Sequence, residues 1–141
     1  KKVLILITIT IINLSAAQNN PVEDNYTKKE VYIPMRDGTK LFTIIYTPKD
    51  ISKGNKYPFI MNRTCYSIAP YGENNFRKKL NPNKFIEKEK YIFVFQDVRG
   101  RYMSEGTFTN MTPQVDHKTK KDVDESTDTY DTVDWLVKCS E

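Results

Sequence analysis

The sequence predicts an α/β domain in which an antiparallel hairpin leads into a mostly parallel sheet, and three observations carry that expectation. After the hairpin, strand-like runs alternate with helical stretches, the pattern of a sheet covered by crossover helices. Tyr91-Ile92-Phe93-Val94-Phe95 is an unbroken apolar run of aromatic and β-branched residues, suited to a strand buried on both faces. The last stretch, Ser126–Lys138, has apolar residues at helical spacing and so needs a sheet to pack against.

The front of the chain stands apart. Lys1-Lys2 is a positive head, Val3–Ile12 is apolar apart from threonines, and Asn13-Leu14-Ser15-Ala16-Ala17 ends in small residues. This reads as a secretory signal peptide, residues 1–17, cut after Ala17, and the run is too short for a span of about 20 apolar residues. A secreted or periplasmic product without stable membrane insertion is expected. No cysteine follows the cut, which argues against a lipid-anchored precursor. The chain opens on Lys1 rather than methionine, as one that has lost its first residue would.

Without Lys1 and Lys2, the chain has 20 Lys and Arg against 18 Asp and Glu, a formal +2 instead of +4. That near balance indicates no nucleic-acid footprint. The basic run Lys118-Thr119-Lys120-Lys121 is followed at once by Asp122, Asp124, Glu125 and Asp128, so a solvated loop is expected. Cys65 and Cys139 suit an oxidising compartment, but their spacing fits no zinc pattern, and sequence does not decide whether they pair. No metal or cofactor is expected.

Residues 18–28 read as a polar, flexible lead-in, with Gln18–Thr27 unstructured, and 29–141 as the domain portion. Lys29–Pro34 alternates like an edge strand ended by proline. Asp37-Gly38 is a strong hairpin signal, and Lys40–Thr47 is the returning strand, stopped by Pro48. Asp50–Lys56 is turn-rich, and Tyr57–Asn62 is a third strand. Pro82–Lys88 reads as a short helix with Asn81 at the N-cap and Pro82 at its first position.

The strand Tyr91–Phe95 then turns abruptly into Gln96-Asp97-Val98-Arg99-Gly100-Arg101. Ligands of open α/β sheets bind at the carboxyl ends of strands, so this polar turn is well placed for function. The plainer expectation is that Asp97 and Arg99 fold the loop back, pairing with each other or with the backbone. Gly106–Thr127 is a long polar connection, of a length that usually has a functional reason. In the last helix Thr127 or Asp128 caps the start, and Tyr130, Val133, Trp135 or Leu136, and Val137 form the apolar stripe. Strand–helix alternation calls for another parallel strand just beyond Glu141.

Four segments in register now carry a resemblance: MRDGTKLFTIIYTP, PFIMNRTCYS, QDVRGRYMSEGTF and DTYDTVDWLVK. Over about 29–138 the chain resembles the N-terminal part of the Xaa-Pro dipeptidyl-peptidase-like serine hydrolases. That group includes α-amino acid ester hydrolases, to which these segments are most similar, cocaine-esterase-type enzymes and cephalosporin acylases. The resemblance implies an α/β-hydrolase fold truncated before its nucleophile elbow, since no Gly-x-Ser-x-Gly segment occurs. Serine, acid and histidine follow in that order in this fold. All three would lie beyond Glu141, with the elbow about 10–20 residues further on.

One site residue carries over. In Arg63-Thr64-Cys65-Tyr66, similar to the family's Arg-Thr-Pro-Tyr, Tyr66 would lend its hydroxyl to the oxyanion hole. A phenol with a pKa near about 10 is a standing donor, and one preset donor contributes about 3 kcal/mol. Cys65 replaces the usual proline and relaxes the loop. Cys65 has only Arg63 nearby in sequence to lower its pKa, so it is not expected to be a nucleophile. His117, the only histidine, lies between Asp116 and Lys118 without nucleophile context and reads as a solvated loop residue; Trp135 reads as core. Asn25-Tyr26-Thr27, Asn62-Arg63-Thr64 and Asn110-Met111-Thr112 match the glycosylation sequon, which matters only in a eukaryotic source.

The resemblance thus implies a secreted hydrolase of esters or amides of α-amino acids, working by acyl transfer on a small molecule or peptide, with this chain itself inactive. A homo-oligomer of the full-length protein is compatible with it. The alternatives are an Xaa-Pro dipeptidyl aminopeptidase and a non-catalytic secreted binding module.

Overall fold

The computed structural model describes residues 19–51, 57–110, 112–116, 119 and 121–139. The expected signal peptide, residues 1–17, and His117 lie outside them. The elements are α1 (Pro21–Asn25), β1 (Tyr26–Pro34), β2 (Lys40–Pro48), β3 (Phe59–Thr64), α2 (Lys84–Lys88), β4 (Ile92–Asp97) and α3 (Glu125–Lys138).

The strands form one sheet in the order β1-β2-β4-β3. β1 and β2 make the expected antiparallel hairpin. Its turn closes through Met35 N–H donating to the Thr39 carbonyl at 2.8 Å, with Gly38 at φ +87°, where glycine is favoured. β2 pairs antiparallel with β4, Thr43 opposite Gln96 and Tyr46 opposite Phe93. Only β3 and β4 run parallel, Phe59 opposite Ile92 and Thr64 opposite Asp97. The sheet is therefore mixed, not mostly parallel, because the hairpin joins the α/β unit directly on β4.

β4 is buried at every position. The apolar run Ile92–Phe95 is buried as expected, but the strand also takes in Gln96 and Asp97, expected in the polar turn, because partners on both sides of the sheet satisfy them. Side chains alternate across a strand, so β4 feeds two cores. Ile92 and Val94 point to one face with Ile33, Met35, Leu41 and Leu136. Phe93 and Phe95 point to the other with Val22, Tyr26, Phe42, Ile44, Tyr46, Ile68 and Leu80. The same alternation sends Gln96 towards α3 and Asp97 towards the loop after β3.

Several expectations are corrected. The lead-in is ordered over its described residues, 19–28: Asn20 caps α1, accepting from Val22 N–H at 3.1 Å, and Val22 and Tyr26 are buried in the second core. Apolar anchors four residues apart hold a segment whose composition is otherwise polar. α2 starts at Lys84 and is capped by Asn83, which accepts from Phe85 N–H at 2.9 Å; Asn81 and Pro82 precede it.

α3 is capped by Asp124 in a reciprocal box with Thr127, one turn earlier than expected. Only part of its expected apolar stripe faces the sheet, Leu136 with Trp135 beside it. Tyr130, Val133 and Val137 are exposed, whereas Thr127, Asp128, Thr132 and Leu136 are buried, with Trp135 packed at the core's edge. The sheet surface beneath α3 is polar where β3 and β4 end, so polar residues at i, i+4 spacing find partners there.

Candidate active site

β3 and β4 end side by side, and the chain leaves each in a loop. Tyr66 lies on the first, residues 65–71, where Thr64 Oγ1 accepts from Tyr66 N–H at 3.0 Å. Its side chain is 76% exposed, and no described residue hydrogen-bonds to its hydroxyl. A phenol without a protein partner can donate to a ligand.

The loop beneath the tyrosine is fixed by Asp97, whose carboxylate is fully buried. Asp97 Oδ1 accepts from Ile68 N–H at 3.2 Å, and Oδ2 accepts from the Tyr71 hydroxyl at 2.9 Å and from Met103 N–H at 3.4 Å. Burial pushes the Asp97 carboxyl above its ordinary range, and these three donors pull it partly back. Burial likewise raises the Tyr71 phenol. Ser67 Oγ lies 3.0 Å from the Tyr71 hydroxyl and accepts from Ala69 N–H at 3.1 Å.

Two arginines complete the frame. Arg101 Nε donates to the Cys65 carbonyl at 3.1 Å, its guanidinium lying 4.9 Å from the Phe108 ring centre and 5.3 Å from that of Tyr102. Arg77 Nη2 donates to the Ile68 carbonyl at 2.7 Å and stacks 4.0 Å over Phe95. The polar turn therefore does not pair Asp97 with Arg99, but Asp97 does take backbone N–H groups, the other expected arrangement. Asp97 holds the Tyr66 loop, and Arg99 reaches Asp128 and Asp37 instead.

On the opposite face a second polar network docks α3. Arg63 Nε donates to Gln96 Oε1 at 2.7 Å, and its Nη1 reaches the Glu125 carbonyl and Thr129 Oγ1. Gln96 Nε2 donates to Thr43 Oγ1 at 2.9 Å and Thr132 Oγ1 at 3.0 Å. Burial lowers the Arg63 pKa against the pull of Glu125 and Asp128. Arg63 is thus a support of the sheet end, not a neighbour of the Cys65 thiol in function; Cys65 and Cys139 are both free thiols.

A cleft of about 530 Å³ lies at the other end of the strands, lined by Val22, Tyr26, Leu80, Glu87 and several lysines. It touches none of the residues around Tyr66. No group of three or more His, Cys, Asp or Glu among the described residues could hold a metal. Sequence reasoning missed the roles of Tyr71, Arg77 and Arg101. A polar residue ending a fully buried strand was the available signal for Asp97; the others depend on loop conformation.

The sheet, its crossover and the loop at the strands' carboxyl ends define part of an α/β-hydrolase-type domain. Residues 37–141 match the family model described as X-Pro dipeptidyl-peptidase (S15 family), so the chain belongs to that family of serine hydrolases. The sequence is 30% identical over 120 residues to cocaine esterase from Rhodococcus sp. (strain MB1 Bresler), covering 83% of this chain and 18% of the esterase. An aminopeptidase from a marine sediment Thaumarchaeota archaeon superposes with a TM-score of 0.66 at 35% identity, covering 93% of this chain and 22% of the aminopeptidase. A selenomethionine-labelled α-amino acid ester hydrolase gives 0.65 at 35% identity, over 92% and 22%. The chain thus spans about a fifth of the length of these proteins.

Proposed function

We propose that this chain is the N-terminal portion, residues 29–141, of an exported serine hydrolase that cleaves esters or amides of α-amino acids by acyl transfer. In this reading a serine beyond Glu141 attacks the carbonyl carbon, and a histidine takes the serine proton and returns it to the leaving group. Tyr66 donates its hydroxyl to the oxygen that becomes negative as the tetrahedral intermediate forms. The observation that carries the reading is the Tyr66 phenol, exposed and unpartnered at the carboxyl ends of β3 and β4, on a loop held by Asp97 and Arg101. Likeness to an α-amino acid ester hydrolase supports the substrate class. The family description and the likeness to an aminopeptidase favour a second reading, cleavage of Xaa-Pro peptides, which a panel of amino acid esters and Xaa-Pro anilides separates.

Tyr66→Phe in the whole enzyme tests the assignment. It removes one hydroxyl, so kcat and kcat/KM should fall together by about 10²–10³ with KM nearly constant. Retention of more than about a third of wild-type kcat excludes a contribution of that size. Export is tested by the intact mass of the extracellular product, which should begin at Gln18.

A further inference from the structure

Lys28 lies in β1, on the face that carries Tyr26, Glu30 and the second core. Its side chain is completely buried. The ammonium donates to three backbone carbonyls, of Pro70 at 2.8 Å, Gly72 at 2.7 Å and Asn75 at 2.9 Å. A fourth oxygen, Glu30 Oε1, lies 2.8 Å away. The lysine ammonium has three protons, and all are given to the carbonyls. Glu30 Oε1 is accordingly buried without a hydrogen bond, held by charge alone.

Four oxygens at one distance from a positive centre, with the Cε–Nζ bond of Lys28 taking a further direction, make up part of the shell of a spherical cation, in which carbonyls replace water. The 2.7–2.9 Å spacing matches ammonium or potassium. It is too wide for Ca²⁺, bound at about 2.3–2.6 Å, or Mg²⁺, at about 2.0–2.1 Å. One carboxylate balances one positive charge.

Two of the three carbonyls, of Gly72 and Asn75, belong to a closed turn that Pro70 leads into: Asn75 N–H donates to the Gly72 carbonyl at 2.9 Å and Asn75 Nδ2 to the Tyr71 carbonyl at 2.7 Å. Gly72, at φ +94°, permits the carbonyls to converge. Tyr71 in turn bonds Asp97 and Ser67 in the Tyr66 loop.

We propose that the carbonyls of Pro70, Gly72 and Asn75 with the Glu30 carboxylate form a monovalent-cation site, filled in this chain by its own Lys28 ammonium. The tethered cation sets the backbone of the loop that carries Tyr66; its effect on turnover rests on the oxyanion reading above. Without the tether, the cage takes a free ion of the same size.

The test uses Lys28→Ala in the whole enzyme, in chloride salts of ammonium, potassium or choline at matched ionic strength. In choline the variant should melt on the order of 10 °C below wild type, as expected for a broken buried ion pair. Ammonium and potassium should restore most of that loss. A variant that does not fold in choline should fold in ammonium. The double variant Lys28→Met, Glu30→Gln, with neither tether nor carboxylate, should ignore the choice of cation. Wild-type melting of Lys28→Ala in choline, or equal restoration by all three salts, overturns the site. In the whole enzyme, the kcat lost by Lys28→Ala should return with ammonium, whereas that lost by Tyr66→Phe should not. If Tyr66→Phe keeps its kcat while ammonium still rescues the melt, the oxyanion reading fails and the cation site stands.

Discussion

Replacing Arg99 by methionine should undock α3. The Arg99 guanidinium grips Asp128 with two hydrogen bonds, Nε to Oδ2 at 3.0 Å and Nη2 to Oδ1 at 2.7 Å, and Asp37 through Nη1 at 2.7 Å. It therefore joins the hairpin turn, the exit of β4 and the helix. The Asp128 side chain is only 3% exposed, so removal of its partner leaves a buried carboxylate. Breaking a buried pair costs about 3–5 kcal/mol. Arg63 Nη2, 4.0 Å from Asp128, retains an attraction of about 4 kcal/mol at an effective dielectric near 20, which puts the cost at the lower end. The Asp37 arm is more exposed and adds at most about 1 kcal/mol. Methionine keeps the apolar stem, so about 3 kcal/mol should be lost from a domain total of about 5–15. Trp135, the one tryptophan of this sequence, sits on α3, so its emission in a urea titration reports the undocking. Asp128→Asn added to Arg99→Met should regain at least about 1 kcal/mol, because the stranded charge is gone. A loss below about 1 kcal/mol for Arg99→Met, or an equal cost of Asp128→Asn in both backgrounds, refutes this reasoning.

Two glycines at positive φ should respond differently to alanine. A Cβ on Gly100 would overlap the backbone of Thr107 and Phe108, whereas one on Gly38 meets nothing within 4 Å. Gly38→Ala should cost about 1–2 kcal/mol of left-handed strain, and Gly100→Ala clearly more, by urea midpoint. Acid should weaken the ties between hairpin and helix. The Arg36 hydrogen bonds hold the Asp131 carboxyl below its ordinary value. Burial raises Asp37, but the bonds from Arg99 and Thr39 outweigh it and hold that carboxyl low as well. For depressed carboxyls, stability is present above the unfolded value near 3.8 and lost as pH falls through the folded one. The raised Asp97 runs the other way, its contribution present at low pH and lost as pH rises through its folded value. The urea midpoint should therefore drop below about pH 4, and Arg36→Ala should flatten that drop.

By itself the sequence determined the elements whose signals are local. The Asp37-Gly38 turn forms the hairpin because its backbone demands are met within five residues. Ile92–Phe95 is buried strand because its four side chains are wholly apolar, although β4 begins one residue later than the run and continues to Asp97. The four motifs in register identified the family, and the position of Tyr66 after β3 followed from them. The tertiary structure decided everything set by distant partners. It placed β4 between β2 and β3, so β4 has no open edge; β3 has one. It turned α3 over, because Arg63, Gln96 and Arg99 reward Asp128 and Thr132 more than open sheet rewards Tyr130 and Val133. It made the polar lead-in an anchor, since Lys28 finds its oxygens 42 to 47 residues away. Hydrophobic periodicity records only which residues avoid water. A buried polar group is stable only where partners with matching geometry meet it, and the folded chain alone brings them together.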